Sequence, residues 1–435
     1  MSEPLRIALA GLGTVGTGVI ELLETNRSTI ERRAGRALQI VAINARDRTR
    51  DSGVDLSPYA WVDDMQAMAG RADVDVVLEL VGGSDGPALT LARAALDEGK
   101  AFVTANKAMI AHHGLSLAEQ AALRGVPLKF EAAVAGGIPV VKGLREGAAA
   151  NRIERIYGIL NGTCNYILSE MERTGADFGD MLRAAQEKGY AEADPTFDID
   201  GVDAAHKLAI LAGIGFGARV DFDAVAATGI REVRAADITQ AGALGYVIRL
   251  VGIASLDESG AEPTLLQRVR PCLVACGHPL AAVTGPTNAV VAEGNFSGRL
   301  LFQGAGAGAG PTASAVVADL IDIARGDSGA PFSVPVEQLE KFAPADPGNR
   351  VGRDYIRFTV TDRPGVLAEI TAAMRDAEVS IESLIQRGRD HEGGEVLVAM
   401  VTHEGPERCV TKALDLLDGS PSLTAPPLVM PILKD

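Results

Sequence analysis

The sequence predicts an α/β fold: a doubly wound parallel sheet at the start, an α+β domain in the middle, and a small α+β module at the C-terminus. Three observations carry this reading. An apolar run, "RIALA", leads into a glycine-rich turn, and short apolar strands then alternate with helical patterns as far as residue 106. At 435 residues the chain is long for one domain and suits two or three. Residues 327–350 are rich in proline and small polar residues and read as a linker. Beyond them the order strand, helix, strand, strand, helix is ferredoxin-like.

The first strand is followed by Gly11-Leu12-Gly13-Thr14-Val15-Gly16 and a helical pattern, "TGVIELLETN". A GxGxxG between a strand and a helix is the context that makes the motif informative. Gly11 permits the tight turn, Gly13 admits a pyrophosphate, and Gly16 lets the helix pack on the strand. The phosphates then meet the free N–H groups of the helix N-terminus. "LQIVAINAR" (38–46), "VDVVLELVG" (74–82), a helix from Pro87 to Glu98 and "AFVTAN" (101–106) complete a Rossmann-type nucleotide-binding domain. An acidic residue ending the second strand would bind the ribose 2′-OH of NAD. This chain has Asn44-Ala45-Arg46-Asp47-Arg48 there. Arg46 suits the 2′-phosphate of NADP, and Asp47 keeps NAD open. "VTANKAMIA" places Asn106 and Lys107 past a strand end, on the ligand edge of such a sheet.

The middle of the chain carries three polar constellations. "FEAAVAGGIPVV" (130–141) holds one carboxylate, Glu131, in an apolar stretch bent by Gly136 and Gly137, where exposed carbonyls can hold a small cation. "ILNGTCNYIL" (159–168) sets Asn161, Gly162, Thr163 and Asn165 at a strand-to-helix turn, where an ordinary N-cap would look the same. "GYAEADPTFDIDGVDAAHKLAIL" (189–211) sets Glu192, Asp194, Asp198, Asp200 and Asp203 ahead of Lys207, which then enters an apolar helix. A solvated acidic cap is the simpler explanation. Yet Asp203 and Lys207, at i and i+4, share one helix face in the favourable order. A lysine oriented by a carboxylate can donate and accept a proton, and beside a nicotinamide that describes exchange between an alcohol and a carbonyl.

Composition narrows the partners. A formal charge of −16 leaves no basic surface for phosphates of nucleic acid. No run of about 18 apolar residues suggests a membrane span, and the N-terminus moves straight into a strand pattern rather than a signal peptide. Cys164, Cys272, Cys276 and Cys409 form neither a disulfide framework nor a zinc spacing, so a reduced, cytoplasmic setting is expected.

GLGTVG (11–16), TANK (104–107), NGTCNYIL (161–168) and GYAEADPTFDIDGVDAAHK (189–207) together resemble homoserine dehydrogenase along essentially the whole chain. The resemblance implies interconversion of L-homoserine and L-aspartate 4-semialdehyde with NADP or NAD. It implies Lys207 as proton donor, Asp203 as its orienting acid, and Glu192, Gly162, Thr163 and Lys107 around the substrate. Gly11 to Gly16, Arg46, Asn106, Lys107 and Gly308 then face the cofactor. Glu131, with the carbonyls of Val134, Gly136 and Ile138, corresponds to a site for a monovalent cation, Na or K. The implied domains are 1–133 for nucleotide binding, completed by 304–326, 134–303 for substrate binding and dimerisation, and 351–435 for regulation, in a homodimer or homotetramer. The loop "GAGAGAGP" (304–311) departs from the family's pattern: Ala305 and Gly310 stand where a proline and a methionine are usual.

Residues 351–435 resemble an ACT domain, with "TDRPGVLAEI" (361–370) as its strand-to-helix turn. That resemblance implies an amino-acid effector, L-threonine, at Asp362, Gly365, Val366 and Leu367. Two other readings remain. A semialdehyde-oxidising dehydrogenase would need a catalytic cysteine, for which Cys164 is the candidate. A non-catalytic amino-acid sensor would keep the fold and the ACT module but have no use for Lys207.

Overall fold

The computed structural model describes residues 3–49, 52–387 and 394–434. The first sheet is built from Leu5–Ala10 (β1), Leu38–Asn44 (β2), Ala60–Trp61 (β3), Val76–Glu79 (β4), Ala101–Thr104 (β5) and Leu128–Lys129 (β6). All pairs are parallel, in the order β3-β2-β1-β4-β5-β6. Helices cover both faces, so β4 and β5 are buried throughout and read as apolar runs. Strands β2, β4 and β5 end two or three residues earlier than the apolar runs suggest. Their carboxyl ends peel away into loops, and Gly82 and Gly83 take φ of 88° and 89°, which no strand accommodates.

The middle domain is a seven-stranded sheet. Its long strands are Ile153–Ile159, Tyr246–Asp257, Thr264–Ala275, Thr287–Gly294 and Gly298–Ala305, all antiparallel to their long neighbours. The helices Gly162–Thr174, Ala235–Ala243 and Val202–Phe216 pack on it, and the last is central to the site. Val202–Phe216 is apolar nearly all round and buried along most of its length, which is why its single lysine stands out. The helix Ala309–Arg325 then returns to the nucleotide domain and packs against the helix Thr14–Thr25.

The segment 327–350 lies packed rather than free. Phe332 is fully buried against Phe130, with ring centroids 5.2 Å apart, and Ala343–Pro344 pairs with Thr264 and Leu265. Beyond it, Ile381–Arg387, Glu395–Thr402, Asp354–Thr361 and Leu423–Pro431 form a four-stranded antiparallel sheet, with helices Val366–Asp376 and Glu407–Leu416. The strand "DYIRFTVT" (354–361) is buried on both faces. Ile356, Phe358 and Val360 pack under the two helices, whereas Tyr355 and Arg357 face the middle domain. Tyr355 donates to Asp237 at 2.9 Å, and Glu407 pairs with Arg268, Arg270 and Arg350 at 2.9, 3.1 and 2.7 Å.

Candidate active site

Two adjoining cavities open along the carboxyl edge of the parallel sheet. The first, about 590 Å³, is lined by Gly11, Leu12, Gly13, Asn44 through Arg48, Trp61 and Leu80. Gly11 has φ of 104°, and a Cβ there would lie 2.6 Å from the carbonyl oxygen of Leu80. A Cβ at Gly16 would lie 2.0 Å from the carbonyl of Gly11, so the helix can approach only as glycine. Around Gly13, in contrast, there is nothing within 4 Å. The open position is the one a pyrophosphate needs, at the start of a helix with no side-chain cap and no acidic residue in its first turn. Arg46 is exposed on the wall at the end of β2, while Arg48 stacks over Trp61 at 5.4 Å.

The second cavity, about 820 Å³, begins at Val15 of the same helix. It brings together Lys107, Gly136, Gly162, Thr163, Glu192, Asp203, Lys207 and Gly308, residues far apart in sequence. Lys207 Nζ donates to Asp203 Oδ2 at 2.7 Å and to the carbonyl of Leu160 at 2.8 Å. Lys107 Nζ pairs with the other oxygen of Asp203 at 2.8 Å. Asn161 caps the helix Gly162–Thr174 with Oδ1, while its Nδ2 donates to Asp203 and Asp198, both at 2.8 Å. It is therefore an N-cap and a site residue at once. Thr163 Oγ1 donates to the carbonyl of Tyr190 at 2.7 Å, tying down the exposed segment that carries Glu192.

Electrostatics set the protonation states. Burial alone would raise Asp203, but Lys207 and Lys107 outweigh it and hold the carboxyl well below the usual range. Burial lowers Lys207 from the ordinary lysine value, with Lys107 adding to the effect against the pull of Asp203. Lys107 shifts up instead: burial opposes its charge, but Asp203, Asp198 and Glu192 prevail. Burial and the charge of Asp203 push Asp198 up.

Behind this group, His206 stacks on Phe222 at 4.3 Å, and its Nε2 lies 3.1 Å from His112 Nε2. Burial and His112 depress His206 to about 4. A histidine held neutral in the fold binds fewer protons than in the unfolded chain between about pH 4 and the ordinary value of 6.5. Its contribution to stability is full above 6.5 and is lost as pH falls toward 4. His206→Gln is expected to flatten the pH dependence of the opening free energy of the helix Val202–Phe216 across that window, as read by hydrogen exchange at successive pH values corrected for intrinsic rates; an unchanged slope would rule the contribution out.

Other expected residues are placed as follows. Asn106 caps the helix Lys107–Arg124, accepting from Met109 N at 3.1 Å and donating to Gly83 O at 2.7 Å. Glu131 is buried, and its oxygens accept the N–H groups of Val141 and Lys142 at 3.1 and 2.8 Å. Each oxygen accepts one N–H and keeps a further lone pair, so the carboxylate closes the bend and still has acceptor capacity toward the turn. Ala135 and Gly136, at φ of 56° and 55°, turn the backbone sharply there. Among the described residues, no group of three or more His, Cys, Asp or Glu could hold a metal. Asp362, Gly365, Val366 and Leu367 line a separate cavity of about 610 Å³ with Arg363 and Gln386. Cys164 is fully buried and donates to Asp198 O at 3.2 Å; burial raises it well above the usual thiol value, so it offers no thiolate. Sequence reasoning passed over Glu79. Its carboxylate accepts from Val81 N, Gly82 N and Thr104 Oγ1 at 2.6, 2.8 and 2.6 Å, fixing two ligand-edge loops to each other. A charged residue ending a buried strand was the available signal.

A dinucleotide cleft that runs into a buried lysine–carboxylate pair defines an NAD(P)-dependent oxidoreductase. Comparison with known proteins narrows the class. Residues 11–131 match the family model of the homoserine dehydrogenase NAD binding domain, 139–321 that of homoserine dehydrogenase, and 355–415 that of the ACT domain. Homoserine dehydrogenase of Pseudomonas aeruginosa is 42% identical over 430 residues, with 98% of each chain covered. The crystal structure of a homoserine dehydrogenase from Thiobacillus denitrificans superposes with a TM-score of 0.92 at 39% identity, over 99% of both chains. A hyperthermophilic archaeal homoserine dehydrogenase in complex with NADPH matches 75% of this chain and 100% of its own, with a TM-score of 0.64 at 26% identity. The chain belongs to the homoserine dehydrogenase family.

Proposed function

We propose that this chain interconverts L-homoserine and L-aspartate 4-semialdehyde with NADP(H) as the preferred cofactor, and that Lys207 is the proton donor. The observation that carries the reading is Lys207 Nζ, 2.7 Å from Asp203, inside the cavity that the cofactor helix opens into. A bound nicotinamide supplies or accepts the hydride at the reacting carbon. Lys207 protonates the carbonyl oxygen in reduction and takes the proton back in oxidation, and its lowered pKa brings it nearer the working range of such a group. Asp203 stays ionised and orients both lysines. Glu192 and Asp198 offer anionic oxygens to the substrate ammonium, whose charge would offset the upward shift of Asp198. Lys107 reaches the same cavity from the nucleotide domain and faces cofactor and substrate together.

Several finer points belong to the same reading. Glu131, with the carbonyls of Val134, Gly136 and Ile138 at the sharp turn, would hold a monovalent cation as a structural brace. The middle sheet ends on Gly298–Ala305, whose outer edge pairs with no other strand among the described residues, and this edge suits association into a homodimer or homotetramer. The cavity at Asp362–Leu367 would take L-threonine as a feedback effector. No described helix is long and apolar enough to cross a membrane, and a cytoplasmic setting fits the unpaired cysteines.

Steady-state assays with L-homoserine and each cofactor test the reading directly; no turnover with either would overturn it. If Arg46 reads the 2′-phosphate, as the NADPH-bound archaeal relative encourages, Arg46→Ala should weaken NADP by about 1.5–3 kcal/mol and leave NAD unchanged. Equal losses with both cofactors would show that Arg46 does not touch the phosphate.

A further inference from the structure

Asn288, in the strand Thr287–Gly294, lines the catalytic cavity and is 1% exposed. Its Nδ2 donates to the carbonyl of Leu160 at 2.9 Å, the carbonyl that also accepts Lys207 Nζ at 2.8 Å. A carbonyl can only accept, so this bond fixes the amide's orientation and turns Oδ1 away from it. Oδ1 is buried and has no hydrogen-bond partner among the described residues. Buried amide oxygens are seldom left so. Directly over the amide runs Gly306, where a Cβ would meet the Asn288 side chain at 2.3 to 2.5 Å. Gly306 leads through Gly308 into the helix Ala309–Arg325, which rests on the cofactor helix. Asn288 thus adjoins both the carbonyl that holds the proton donor and the loop that leads to the cofactor-side helix.

We propose that Asn288 Oδ1 accepts a hydrogen bond from the carboxamide N–H₂ of the bound nicotinamide and so fixes the rotation of the ring relative to Lys207. An uncharged acceptor suits a neutral amide donor, whereas the substrate ammonium has Glu192 and Asp198. The inference rests on the reading that a nicotinamide enters this cavity.

The test compares NADP with its 3-acetylpyridine analogue, in which a methyl group replaces the carboxamide nitrogen. Binding is read from the fluorescence of Trp61, the single tryptophan, which lines the neighbouring cofactor cavity. The wild-type chain should bind the analogue about tenfold more weakly, the scale of one neutral hydrogen bond. Asn288→Ala should bind the two within about twofold. A fragment lacking nicotinamide, 2′-phospho-ADP-ribose, should bind both proteins alike and so report that the variant is folded. Retained discrimination in Asn288→Ala overturns the proposal, as does a wild type that fails to discriminate. A raised KM for homoserine with discrimination intact would assign Oδ1 to the substrate and overturn it too. Failure of the wild type to bind NADP at all would strike the underlying cofactor reading instead.

Discussion

Lys207→Ala is expected to lose about 10²–10⁴-fold in kcat, the usual contribution of a positioned acid or base. The loss should leave NADP affinity almost untouched, because Lys207 lies in the second cavity and not among the residues around Gly13. The change also carries a stability cost, because it removes the donor shared by two buried acceptors. The Lys207 ammonium is buried, and the surrounding groups, Asp203 Oδ2 and Leu160 O, are acceptors that alanine would leave facing one another. Asp203 would keep Lys107 and Asn161, so the cavity should survive the change. Asp203→Asn should cost less, since it leaves the proton donor in place and only loosens its orientation. A Lys207→Ala enzyme that retained more than about a tenth of wild-type kcat would remove Lys207 from the chemistry. A parallel measurement of cofactor binding separates lost chemistry from a collapsed site.

Glu407→Ala should give a large loss of stability in the C-terminal module, because this half-buried carboxylate joins the module to the middle domain. One carboxylate there pairs with Arg268, Arg270 and Arg350, of which Arg350 also has Asp354, and the Arg268 side chain is only 5% exposed. Removing the shared partner leaves buried guanidinium groups uncompensated, which costs about 3–5 kcal/mol in comparable cases. Because the chain has several domains, this should register as local opening rather than as a single melting temperature. Hydrogen exchange is expected to quicken first in Asp354–Thr361 and Leu423–Pro431, while kcat stays near wild type. Any threonine inhibition should weaken in step, since an effector acts only through contacts that differ between two states. Unaltered exchange in those strands would show that the ion cluster does not hold the module in place.

What the sequence disclosed depended on whether the signal was local. The glycine turn, the i, i+4 pair of Asp203 and Lys207, and the strand-to-helix turn at Asp362–Leu367 each lie within one short stretch, and each was legible. The meeting of Lys107 with Asp203 was not, because the two come from different domains and only the packing of the helices Lys107–Arg124 and Val202–Phe216 brings them to 2.8 Å. Asn161 looked like a cap and is one; its second role needs Asp198 and Asp203 to be brought beside it. Glu131 was legible only in part: a lone carboxylate in an apolar stretch suggests a ligand, but that the backbone N–H groups of Val141 and Lys142 orient it appears only in the fold. The segment 327–350 has a linker's composition, but Phe332, Val336 and Leu339 are buried. Proline and small residues mark a chain without regular structure, not a chain without contacts.

The return of the helix Ala309–Arg325 to the nucleotide domain has a consequence for synthesis. Ala313, Val316, Val317 and Leu320 fill the same core as Leu5, Ile7, Val19 and Ile20. That core is therefore open when β6 leaves the ribosome, and stays open until roughly two hundred more residues have been added. At about 5–20 residues per second the wait is on the order of 10–40 seconds. During it the apolar groove beside the helix Thr14–Thr25 is available to chaperones and to neighbouring nascent chains. A gene fragment ending near residue 133 would carry the same groove permanently and should aggregate unless the segment 304–326 is supplied in trans.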